Sequence, residues 1–239
     1  MPKSKTTPTP VKEALVVART YYRENVVPEL ADALPNAIAL NDKQLERYKL
    51  GRRQGFDRLW VMPPVAAQVA HWEQSIMHLG TLMIMNVEPD EQYLDDPSLG
   101  EEQLLRRAPL RNRPEKSSYL LMYRSGPIEA STRFRNPPDL IADFDQHGWN
   151  GLTPFEYALV QRLQCEEVGD HRWDSLYKVN GKPANVHFLL DLTIGEGKQM
   201  RVAIGYYRGK LEMGFVNAMP ARPSPDYGAT PTIVVPLGK

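Results

Sequence analysis

A single cysteine, Cys165, occurs in 239 residues. That excludes an intramolecular disulfide and any zinc cage built on cysteine. Excess charge of either sign is also missing, since 29 Lys and Arg balance 29 Asp and Glu. A neutral chain has no long-range attraction for nucleic acid or an anionic bilayer, and its net charge does not oppose association with its own copies. No apolar run approaches the ~20 residues that cross a bilayer. The Thr- and Pro-rich stretch 1–10 lacks the apolar segment and small-residue cleavage site of a secretory signal, so it reads as a flexible tail and the expected location is cytoplasmic. G-x-S-x-G, H-E-x-x-H, a phosphate-cradling glycine loop and a dinucleotide fingerprint are all absent. Neither a cofactor nor a metal is expected.

What the chain does have is 42% apolar residues, enough for a packed core. Its last third carries three runs of period two. Val186, Phe188, Leu190, Leu192 and Ile194 alternate with polar positions, as do Met200, Val202, Ile204 and Tyr206, then Leu211, Met213 and Phe215. Period two predicts strands with one buried face. The glycine-bearing links 195–198 and 208–210 predict hairpins. The result is an antiparallel meander whose second face is open to water, with a final strand over 232–235.

Helical spacing appears earlier. Leu15, Ala18, Tyr22, Val26 and Leu30 recur at three to four residues after Thr9-Pro10, and Pro28 interrupts them. A second helix follows Asn41. Val65, Val69, Trp72, Ile76 and Leu79 mark a third, closed by Gly80. That phase turns Trp72 inward and His78 outward. Apolar runs at 81–87 and 118–123 predict strands. Asn136-Pro137-Pro138-Asp139 opens a helix that Gly148 closes, and Thr153-Pro154-Phe155-Glu156 is a capping box for a helix over 154–165. Partly segregated helices and strands favour α+β over a doubly wound sheet. The expected organisation is a tail (1–10), a helical extension (11–55) and one α+β core (56–239).

The phrases Met85-Asn86-Val87-Glu88-Pro89-Asp90, Tyr119-Leu120-Leu121, Leu152-Thr153-Pro154-Phe155-Glu156-Tyr157-Ala158-Leu159, Lys210-Leu211-Glu212-Met213-Gly214-Phe215 and Tyr227-Gly228-Ala229-Thr230 follow in this order. Over residues 60–232 the chain resembles a family of small uncharacterised bacterial proteins. In that family glycine stands at the position of Tyr157 and tryptophan at that of Phe215. The resemblance implies a shared fold and brings no activity with it.

Three groups of side chains are candidates for chemistry or binding. Asp145 with His147, and Asp170 with His171, each place a carboxylate beside an imidazole at a helix end. If the two converge in a cleft they form a base and its orienting partner, as in a hydrolase. Histidine at a helix C-terminus is equally what the macrodipole favours. On the meander, His187, Asp191, Arg201 and Tyr207 alternate with the core set and, with Glu212, offer hydrogen-bonding groups on a rigid surface; a solvated sheet face carries the same residues. Arg47, Lys49, Arg52, Arg53 and Arg58, near Tyr48, Phe56 and Trp60, resemble a nucleic-acid strip of cations among aromatics. Salt-bridged helix faces have that composition too. His71 and His78 lie two helical turns apart, roughly 10 Å, too far to share one ion. The leading expectation is a non-catalytic protein that binds another protein, or its own copy, through its N-terminal helices or a sheet edge. A hydrolase and a nucleic-acid binder are the alternatives.

Overall fold

The computed structural model describes residues 7–80, 82–84, 110–124, 130–168, 178–179, 182–183, 186–194, 200–207, 211–218 and 227–238. Its elements, in chain order, are α1 (Thr9–Asn25), α2 (Pro28–Asp32), α3 (Asp42–Arg53), β1 (Arg58–Met62), α4 (Val65–Ala70), α5 (Trp72–Leu79), β2 (Leu82–Ile84), β3 (Tyr119–Tyr123), α6 (Pro137–His147), α7 (Pro154–Val168), the short pair β4 (Lys178–Val179) and β5 (Lys182–Pro183), then β6 (Val186–Ile194), β7 (Arg201–Tyr207), β8 (Leu211–Asn217), β9 (Tyr227–Gly228) and β10 (Thr232–Pro236). The fold is mixed α+β. No helix among the described residues is long and apolar enough to cross a membrane. Two compact units divide the chain. One holds Met1–His78, Asn112–Ser125 and Thr232–Lys239, the other Leu79–Arg111 and Gly126–Pro231.

In the first unit an antiparallel sheet runs β1-β3-β10, with Trp60 opposite Leu121 and Leu121 opposite Val234. Its middle strand, Tyr-Leu-Leu-Met-Tyr, is buried throughout, which explains a continuous apolar run where a one-sided strand would alternate. Residues 11–55, read above as an extension, lie in this unit. α1 buries Val11, Leu15, Ala18 and Tyr22. The Tyr22 hydroxyl accepts a hydrogen bond from Trp60 Nε1 at 3.1 Å. α3 starts as Asn41 foretold. The Asn41 side chain accepts from the Gln44 N–H, and Gln44 Oε1 accepts from the Asn41 N–H in return. Gly51 lets α3 approach the sheet, because a Cβ there would lie 2.9 Å from the Met122 side chain. β1 was not foreseen: Arg-Leu-Trp-Val-Met is short and does not alternate.

The expected helix over 65–79 is two segments. At His71 the backbone turns to φ −111° and ψ 23°. His71 N–H still bonds Ala67 O and Ser75 N–H bonds His71 O, so the hydrogen-bond chain continues through a kink. In α5 the phase is as read, with Trp72, Ile76 and Leu79 buried and His78 exposed, but in α4 Val65 and Val69 are only half-buried and Gln68 is the buried residue.

In the second unit the sheet order is β2-β8-β7-β6-β9, with β6, β7 and β8 forming the antiparallel meander and β2 and β9 added in parallel. The expectation of one buried face is overturned. α6 lays Leu140 and Phe144 against Phe188, Leu190, Val202 and Ile204. On the opposite face, the Tyr157 ring of α7 lies over Gly205 and 5.2 Å from the His187 ring. Register makes a second correction. Gly205 opposes Met213 and Ala203 opposes Phe215, so those two residues share the row of His187 and Leu189, not that of Phe188 and Ile204. A bulge between Leu189 and Thr193 also shifts β6 against β7, so Ile194 falls opposite Arg201 and out of the row that begins at Phe188.

α7 begins at the foreseen capping box. Thr153 Oγ1 accepts from the Glu156 N–H at 3.2 Å and Glu156 Oε2 accepts from the Thr153 N–H at 2.9 Å, both buried. Thr153→Ala is therefore expected to lower stability by about 1–2 kcal/mol, read as a shift in the urea midpoint. An unshifted midpoint would show that the cap carries no stability.

Candidate functional site

Asp145 and His147 turn to different partners. At the C-terminal turn of α6, Asp145 Oδ2 accepts from Arg111 at 2.9 Å. His147 Nδ1 lies 2.8 Å from the backbone oxygen of Asp143 and 3.4 Å from its Oδ1, and the ring stacks on Trp149 at 4.6 Å between centroids. The imidazole is half exposed, and Gly148 behind it closes the helix at φ +67°. Each member is engaged elsewhere by helix-end geometry. Asp170 and His171 lie outside the described residues.

The sheet-face candidates are corrected by burial. His187 is 0% and Asp191 2% exposed, so neither stands on a solvated face. His187 Nδ1 sits 3.4 Å from Thr230 Oγ1, beneath the Tyr157 ring. Asp191 lies within the bulge of β6, where its Oδ1 accepts from the Gly151 N–H at 3.2 Å and its own carbonyl accepts from the Arg111 N–H. Arg201 lies over the Phe215 ring at 5.4 Å. Tyr207 opposes Leu211 while Glu212 opposes Tyr206, so those two do not belong to one cross-strand row. What the sequence showed as polar alternation is a polar layer inside the second unit, under a helix that also buries Glu156, Gln161 and Gln164.

Much of the basic strip is structural. α3 lies along β10, where Arg47 Nε donates to Val234 O at 2.6 Å and Gln44 Nε2 to Pro236 O at 2.6 Å. Side chains three apart on a helix thus serve carbonyls two apart on a strand, which occupies an edge that would otherwise invite another strand. Burial, and Arg113 nearby, lower the pKa of the Arg47 guanidinium. Arg52 donates to the carbonyls of Phe56 and Asp57, and Lys49 pairs with Glu46. Arg53 is exposed and Arg58 opens β1. Cations held by carbonyls and carboxylates of their own unit make a poor track for phosphates. Among the described residues no group of three or more His, Cys, Asp or Glu could hold a metal ion.

A different surface emerges on α1. Opposite its buried stripe, Val16 is 65% and Val17 54% exposed. Exposed helical valine is disfavoured twice. Its β-branch lowers helix propensity by several tenths of a kcal/mol against alanine, and its side chain stays in water. Lys12 and Glu13 flank the valines on one side and Arg23 and Glu24 on the other, all exposed. The signal was present in the sequence as two apolar residues outside the Leu15-Ala18-Tyr22 stripe. Phe134 is also exposed, at φ +58°, but stands singly in a turn.

Set against known proteins, the chain matches no family model, no curated protein and no solved structure. The resemblance over residues 60–232 rests on the quoted phrases alone.

Proposed function

We propose that this chain is a non-catalytic protein-binding protein that recognises its partner through the outer face of α1. The observation that supports this reading is the exposed pair Val16 and Val17 on a helix whose opposite side already supplies its packing. Local propensity and burial both argue for polar residues at these two positions, and such departures from consistency occur where a surface has another use. A small apolar centre ringed by charges has the anatomy of an interface. The two alternatives have less behind them: Asp145 and His147 turn to different partners, and Arg47, Lys49 and Arg52 of α3 are engaged within their own unit.

The test compares the full chain with the double variant Val16→Lys, Val17→Lys. Both positions are exposed, so thermal stability should be nearly unchanged. The expected result is that the variant loses a stoichiometric protein partner, whether a different protein or a second copy, that the parent chain retains. If the substitutions alter neither the proteins captured nor self-association, the reading is wrong.

A further inference from the structure

We draw no further inference here: the strongest candidate, the cluster of buried polar side chains beneath α7, in which the Gln161 amide is 1% exposed and finds no hydrogen-bond partner among the described residues, carries nothing because nothing in the structure shows what it would bind.

Discussion

Gly205→Ala is expected to destabilise the second unit by about 3 kcal/mol, the upper range for overpacking a tight core. Gly205 sits mid-strand in β7, opposite His187 on one side and Met213 on the other. A glycine there is unfavourable for a strand on entropic grounds alone. Its reason is the ring of Tyr157. A Cβ on residue 205 would overlap ring carbons Cε1 and Cδ1, and would lie 2.7 Å from Cζ. Tyr157 is wholly buried and α7 is held at its N-terminus by the Thr153 capping box, so the ring has little room to retreat. A double-mutant cycle makes the prediction specific. Tyr157→Ala alone should cost about 3–5 kcal/mol as a lost core aromatic. Combined with Gly205→Ala it should cost less than the sum of the two, since the added methyl enters space the ring has left. Urea unfolding of the four proteins measures this, and additive effects would show that the ring does not set the requirement for glycine.

The same contact marks what was legible in the sequence and what was not. Period two located β6, β7 and β8, because it depends on neighbouring residues, while the links at 195–198 and 208–210 lie outside the described residues. Which helix covers which face depends on the register between strands and on elements far apart in the chain. Phe188-Leu189-Leu190 is an uninterrupted apolar run, the usual sign of a strand buried on both faces, yet the polar residues beyond it made one face look solvated. The register of β8 on β7 has no periodic signature, so Met213 and Phe215 were placed on the wrong face, and the bulge of β6, equally silent in the sequence, did the same to Ile194. The capping box at Thr153 and the helix start after Asn41 were legible because a cap involves only a few consecutive residues. The sheet of the first unit was not, since its strands come from residues 58–62, 119–123 and 232–236, and residues 11–55 were accordingly read as separate from it. For the site, Val16 and Val17 were in plain view, but an apolar residue off a helical stripe acquires meaning only once the stripe is known to be buried.

Adjacent residues in the β6 bulge give the largest contrast. Leu190→Asp should unfold the second unit. Leu190 is 1% exposed within the cluster of Phe144, Phe188, Val202 and Ile204, and its backbone passes so close to Gly151 that a Cβ there would lie 3.0 Å from its amide nitrogen. An aspartate in that apolar cluster is a buried charge, whose cost reaches the whole stability of a domain, about 5–15 kcal/mol. Asp191→Leu, from alternation alone, should be harmless, as an outward residue made apolar. The structure reverses that expectation. The Asp191 carboxylate is buried and accepts the Gly151 N–H, so leucine removes that acceptor from a buried amide, at about 1–3 kcal/mol. Asp191→Asn keeps a side-chain carbonyl in the same place and should recover part of the loss. The expected order of urea midpoints is therefore parent, Asp191→Asn, Asp191→Leu, then Leu190→Asp without a folded baseline. If Asp191→Leu matches the parent, the carboxylate does not fasten Gly151 to the bulge, and the polar layer beneath α7 contributes nothing to holding the second unit together.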